Sequence, residues 1–341
     1  MNLNFLFISI VLTIFQFITA FSLQTNIPFS FAIFTDVPYP RKGNSEEQEY
    51  KKLIKDISEI NNAKIVDFFV HLGDIKAGMG PCKREQYELV GSTLRKCESP
   101  VFMIIGDNEM KDCSNQDLAL KWWKDEFLNL HNAVSNNFEV KRQSERVGNF
   151  MFIHKEVLFI GFHNTKGRIK DTTHYNSDMD KNVTWLLKSI KQFGEKAKAA
   201  VVFTHAKPAK HFNFFKPFAD QAKEFKKPIL LLHGNHHFFE IESPFLAENI
   251  TRVSFDNTGY QIPSPIVTVN LENSENYFEI NYPTYSRKVS IIENYRILRR
   301  KISIMLKINL SKYVFIGFIS FILITFSVFV FYFIKRKKEK I

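Results

Sequence analysis

The 341-residue sequence predicts an α/β domain whose parallel strands are covered by helices, with antiparallel β toward its end. Three observations predict it. Short apolar runs alternate with helix-patterned segments from residue 29 to residue 234. Shorter β-type runs follow residue 250. No repeat or low-complexity linker interrupts residues 21–285, a length suited to one mixed-sheet domain.

The elements follow in order. "FSFAIFTD" (29–36) is an apolar run between Pro28 and Pro38, read as a strand. "SEEQEYKKLIKDISEINN" (45–62) places Tyr50, Leu53, Ile54, Ile57 and Ile60 on one helical face. "KIVDFFVHLGD" (64–74) reads as a strand, "REQYELVGSTLRKC" (84–97) as a helix and "PVFMIIGD" (100–107) as a strand. "NQDLALKWWKDEFLNL" (115–130) is a helix expected to turn Leu118, Trp122 and Phe127 inward. "NFMFIHKEVLFIGFH" (149–163) is a β-hairpin, and "DKNVTWLLKSIKQFG" (180–194) a helix ending at a glycine. "AAVVFTH" (199–205) and "PILLLHG" (228–234) are strands, followed by "TRVSF", "PIVTVN" and "YFEINY".

The chain ends read differently. Residues 1–20, apolar from position 3 to Ala20, resemble a secretory signal peptide, although the usual basic start is missing. Residues 313–334 are uncharged and long enough to span a bilayer, and a basic tail (335–341) follows. The expected topology is single-pass type I, with the domain outside the cell or in a secretory or vacuolar lumen. Residues 286–312 form a basic amphipathic segment suited to the membrane surface. They carry eight basic residues on the assigned outer side against five in the tail, so orientation rests on the signal peptide.

Charge narrows the partners. Residues 286–341 hold 13 of the 46 basic and 2 of the 35 acidic residues, which leaves residues 1–285 neutral. The net charge of +11 is a membrane-proximal property, and no nucleic-acid partner is expected. Three cysteines in an oxidising compartment suggest one pair and one free thiol. Asn182 and Asn249 lie in glycosylation sequons.

Five strand-like runs end in residues that bind metals: Asp36, Asp74, Asp107, His205, and Asn235 with His237. In open α/β sheets ligands bind beyond the carboxyl ends of the strands, so these ends should converge on one crevice. Mixed carboxylates and imidazoles suit Zn, Fe or Mn.

At these residues the sequence resembles the calcineurin-like metallophosphoesterase superfamily, over about residues 29–270. The motifs are "TDVPY", "HLGDIKAGMGPC", "GDNEMKDC" and "HGNHHFF…NITRV". The resemblance implies two packed mixed sheets flanked by helices in four layers. It implies two metal ions, with Asp36 and His237 on the first, Asp74 bridging, and Asp107, His205 and Asn235 on the second. It further implies hydrolysis of a phosphomono- or diester by in-line attack of a metal-bound hydroxide. Cys82 and Cys113 flank two of these loops, and a disulfide between them would pin both.

Three departures bear on that reading. Pro38 stands where the first metal would have a histidine, Asn108 where a histidine assists the leaving group, and Asn235 where the second metal would have a histidine. Asn108, Glu109 and His236 are the catalytic candidates, and Lys76 is a candidate substrate cation. His233 and His236 flank the site, while His71 reads as core. The alternative function is a phosphoesterase-like surface binding or adhesion protein that has lost turnover.

Overall fold

The computed structural model of the chain describes residues 27–282, except 41–44, 79, 166–171, 207–211, 257, 259–262 and 275. The expected signal peptide, juxtamembrane segment, span and tail lie outside these residues. Among the described residues no helix is long and apolar enough to cross a membrane.

The first sheet carries β1 (Phe29–Phe34), β2 (Phe68–His71), β3 (Val101–Met103), β11 (Ile266–Val269) and β12 (Phe278–Asn281), in the order β12-β11-β1-β2-β3. β1, β2 and β3 are parallel, because helical crossovers join them: α1 (Glu46–Ala63) and α2 (Arg84–Leu94). The late β-type runs add β11 and β12 antiparallel.

The second sheet has the order β4-β5-β6-β7-β8-β10-β9. Its parallel centre is β6 (Val157–Gly161), β7 (Ala199–Thr204), β8 (Ile229–His233) and β10 (Ile250–Ser254). Antiparallel strands β5 (Phe150–His154), β4 (Lys141–Arg142) and β9 (Glu240–Glu242) close its sides. Both sheets are therefore mixed. β4 and β9 escape the sequence reading because two or three residues carry no measurable period.

The inner faces share one phenylalanine-rich core. Phe31 stacks on Phe68 at 4.9 Å, and Phe159 meets Phe68 edge-on at 5.2 Å. Each fully buried ring contributes about 1.5–3 kcal/mol. A second core lies between the outer face of the second sheet and two helices, α4 (Thr172–Phe193) and α5 (Phe212–Phe225). α5 has no counterpart in the sequence reading, since Pro217 falls inside it and reads as a breaker.

Local signals set the helix ends. Ser45 caps α1, accepting the Gln48 N–H at 3.3 Å, while Gln48 Oε1 accepts the Ser45 N–H at 2.9 Å. Asn115 caps α3 (Gln116–Phe127) by accepting the Leu118 N–H at 3.0 Å. The inward face of α3 differs by one position from expectation. Ala119, Trp123 and Phe127 are buried, and Leu118 is exposed. The i, i+4, i+8 spacing through Trp123 wins over the adjacent Trp122.

α4 overturns one sequence expectation. Asn182 is fully buried, its Nδ2 donates to the His163 carbonyl at 2.5 Å, and its Oδ1 accepts from Asn149 Nδ2 at 2.9 Å. A glycan on that nitrogen does not fit this fold. Asn249 is half-buried and gives both Nδ2 hydrogens to carbonyls, of Ala222 and Lys227, each at 2.8 Å. A glycan there would replace one of these bonds.

Candidate metal centre

Parallel strands place their carboxyl ends along one edge. Asp36, Asp74 and Asp107 follow β1, β2 and β3, while His205 follows β7 and Asn235 and His237 follow β8. Four of these six residues have left-handed backbone: Asp36 (φ 53°), Asp74 (φ 61°), Asn235 (φ 58°) and His237 (φ 53°). Only a few per cent of non-glycine residues do so, and each costs about 1–3 kcal/mol. Their grouping at strand ends marks a strained, functional edge.

Glycines let two of these loops touch. A Cβ on Gly106 would stand 2.1 Å from the Asp74 nitrogen. Gly73 (φ 94°) meets Gly106 in the same way, since its Cβ would lie 2.6 Å from the Gly106 nitrogen. The Gly-Asp pairs of the sequence are thus close-approach points that bring Asp74 toward Asp107.

Four side chains converge. His205 Nε2 lies 2.9 Å from Asp107 Oδ1 and 3.2 Å from Asp74 Oδ1. The Asn235 amide nitrogen lies 2.8 Å from Asp107 Oδ1 and 2.9 Å from His205 Nε2. Donor atoms of Asp74, Asp107 and His205 all fall within 4.8 Å of one another. Turning the Asn235 amide would present its Oδ1, an oxygen able to ligate a cation, to the same point.

His205 is oriented for that role. Its Nδ1 lies 2.7 Å from the Leu72 carbonyl, which only accepts, so Nδ1 carries the hydrogen and Nε2 faces the cluster. Burial disfavours the imidazolium, yet the Asp74 and Asp107 carboxylates outweigh it and hold the pKa well above the usual histidine range. Burial also lifts the Asp74 carboxyl to about 6 against the pull of His205. Buried acids facing one imidazole, with Nε2 turned inward to exchange its proton for an ion, form a donor set that fits a divalent cation.

Asp36 lies beside this group. Its Oδ2 accepts from the Thr35 hydroxyl at 2.6 Å and from the Asn235 N–H at 3.2 Å. Its Oδ1 is 3.6 Å from His237 Nδ1, and the half-exposed His237 ring lies 5.7 Å from that of Tyr39.

Three further candidate residues bond to backbone groups of the loops. Glu109 is fully buried, and its carboxylate accepts N–H groups of Gly106 (2.5 Å), Asp74 (3.3 Å) and Ile75 (3.3 Å). It ties the two aspartate loops together. Burial, then the nearby Asp74, raises its carboxyl to about 8. Lys76 is buried, with Nζ donating to the carbonyls of Ala77 (2.5 Å) and Asn108 (3.4 Å). Its ammonium braces the loops through these two carbonyls. Asn108 donates its amide to the Lys76 carbonyl at 2.9 Å and hydrogen-bonds the Tyr39 hydroxyl.

Cys82 and Cys113 are disulfide-bonded, and Cys97 is a buried free thiol. The disulfide sulfurs lie 3.9 and 3.8 Å from the Asn108 carbonyl, at the centre of the Asp107–Glu109 turn. Tyr87 closes the turn by donating to the Glu109 carbonyl at 2.5 Å.

The two flanking histidines face elsewhere. His71 is core, with Nε2 donating to the Val37 carbonyl at 2.7 Å. His233 is fully buried against Arg252, 2.8 Å away. The His236 ring lies tilted at 43° against that of Phe238, 3.6 Å between centres, and its Nδ1 is 3.9 Å from Glu240. Arg252 was missed by the sequence reading. Its signal was a charge on the apolar face of "ITRVS", beside carboxylates in "FFEIES".

The sequence family described as calcineurin-like phosphoesterase matches residues 29–214. No curated protein matches the chain. Among solved structures, the chain is similar to a dimetal phosphatase from Danio rerio at 12% identity and a TM-score of 0.50, covering 71% of this chain and 92% of that one. It is also similar to GAP50, the anchor in the inner membrane complex of Plasmodium, at 13% identity and 0.48, with 78% and 87% covered. A 5'-nucleotidase from Candida albicans aligns at 12% identity and 0.40, with 74% and 50% covered.

Proposed function

The chain belongs to the calcineurin-like phosphoesterase family, and from that premise we propose that it is a metal-dependent phosphoesterase held at a membrane by residues 313–334. The observation that carries the reading is the convergence of Asp74, Asp107, His205 and Asn235 on one point. These four residues would hold the ion. The chemistry supplied there is Lewis-acid polarisation of a phosphoryl oxygen and of the attacking water.

The chain's own contribution is preorganisation. The Leu72 carbonyl fixes the tautomer of His205. Glu109 fixes the spacing of the two aspartate loops, and the disulfide holds the turn between them. Thr35 and the Asn235 backbone hold the Asp36 carboxylate at the first strand end. Left-handed backbone at three strand ends is held by this surrounding framework, so little reorganisation is left for binding.

A second reading, a phosphoesterase scaffold kept for binding, is favoured by one observation. Asn108 turns its amide to the Lys76 carbonyl and offers no acid to a leaving group. The discriminating experiment is hydrolysis of aryl phosphates by the full-length chain with added Mn or Zn. The phosphoesterase reading expects turnover that Asp74→Asn abolishes together with metal binding. Metal binding without hydrolysis of any phosphoester supports the second reading instead.

A further inference from the structure

From the side chains themselves we infer that this chain holds one cation, framed by Asp74, Asp107, His205 and Asn235, and that Asp36 and His237 do not build a second position. The inference rests on the metal-dependent reading above and narrows it.

Geometry separates the two positions. Bonds from nitrogen or oxygen donors to a first-row divalent ion are about 2.0–2.2 Å, so donors to one ion stand no more than about 4.4 Å apart. Asp74, Asp107 and His205 approach that span without rearrangement. Among the described residues, Asp36, Asp74 and His237 do not offer three donor atoms within 4.8 Å.

Chemistry points the same way. Pro38 has no donor at the place where the family motif supplies a histidine. Asp36 is fully buried, and one of its oxygens is committed to the Thr35 hydroxyl and the Asn235 N–H. That carboxylate ties the end of β1 to the loop after β8. His237 is 42% exposed and rests against Tyr39. Asp74 commits its Oδ1 to the cluster, accepting the Asn108 N–H at 3.0 Å and lying 3.2 Å from His205 Nε2. Asp36 acts as a loop clamp that positions the Asn235 backbone.

The test is titration of the metal-free full-length chain with Mn(II), read by calorimetric stoichiometry and by low-temperature electron paramagnetic resonance. One equivalent and the six-line spectrum of an isolated ion are expected. His205→Ala should weaken binding by at least about 100-fold, more than the loss of an outer partner. His237→Ala should leave the stoichiometry at one. Two equivalents, or a spin-coupled spectrum, would overturn the single-ion inference while leaving the phosphoesterase reading intact. Absence of binding by both Mn and Zn would overturn that reading as well.

Discussion

Arg252 Nη1 donates to His233 Nε2 across 2.8 Å, and this contact assigns the tautomer of the histidine. A guanidinium only donates, so Nε2 is bare and the proton sits on Nδ1. That proton is given to the Gly234 carbonyl at 2.9 Å, one residue before Asn235. The other Arg252 nitrogens reach Glu240 at 2.5 Å and Glu242 at 3.0 Å. Both glutamates keep solvent contact, so removing the arginine chiefly orphans the buried histidine. Arg252→Met should cost about 2–3 kcal/mol in urea unfolding. Arg252→Lys should recover less than half, because one ammonium cannot span three partners. A loss indistinguishable from a surface substitution would show that the contact does not hold the loop.

Glu109 offers a related test on the opposite sheet. Its carboxylate serves three backbone N–H groups from two loops, those of Gly106, Asp74 and Ile75. Glu109→Ala leaves these donors buried and unpaired, at about 1–3 kcal/mol each. Metal affinity should fall about 10–100-fold, as for the loss of an outer partner. Glu109→Gln keeps one acceptor oxygen and should restore part of both. Calorimetric metal titration and denaturant unfolding read the two effects separately. Unchanged affinity in Glu109→Ala would leave Glu109 a purely structural residue.

Buried histidines set the acid response. Burial lowers His71 and His131 to about 4 and His233 to about 3, and burial followed by Arg146 takes His163 well below the usual range. Each stays neutral in the folded chain and protonates on unfolding below pH 6.5. Stability is therefore lost as pH falls. Asp74 and Glu109 act oppositely, since their raised carboxyls keep protons that the unfolded chain has released. His205 is protonated in both states below pH 6.5 and is silent there. Four against two leaves a net uptake of protons on unfolding between about pH 4.5 and 6. The metal-free chain should therefore lose stability on acidification through that window. A flat or inverted slope in urea unfolding would refute this.

Much of the site was legible because its signals are covalently local. Gly-Asp and Gly-Asn turns after apolar runs announce strand ends, and parallel β1, β2 and β3 then bring those ends together. What one sequence does not carry is the direction of each side chain. Lys76 and Glu109 sit beside ligands in sequence, yet both turn into backbone groups. His233 lies two residues from Asn235 but faces the outer side of the sheet, with Arg252. Asn182 satisfies the sequon rule and is nonetheless buried, because its partner Asn149 comes from a distant hairpin. Such pairings depend on tertiary register, which local patterning does not encode.

The departure with the largest chemical consequence is Asn108. Its amide is turned to the Lys76 carbonyl, and it touches the Tyr39 hydroxyl. Neither group is a useful acid at neutral pH. An amide does not titrate, and burial, then Asp74, raises the Tyr39 phenol further. A leaving oxygen must then depart without a proton from either. Rates should fall as the leaving group becomes more basic, with kcat/KM highest for nitrophenyl phosphate and lowest for alkyl phosphates. Asn108→His should raise kcat/KM for alkyl substrates by about 100-fold, the lower end of general-acid effects, and change nitrophenyl turnover little. The measurement is a leaving-group series on the full-length chain and this variant at fixed metal concentration. If kcat/KM is independent of leaving-group pKa in the natural chain, another residue supplies the proton and the role assigned to Asn108 fails. If Asn108→His binds metal normally yet leaves alkyl substrates unimproved, an imidazole there does not reach the leaving oxygen, and the substitution at this position is not what limits catalysis.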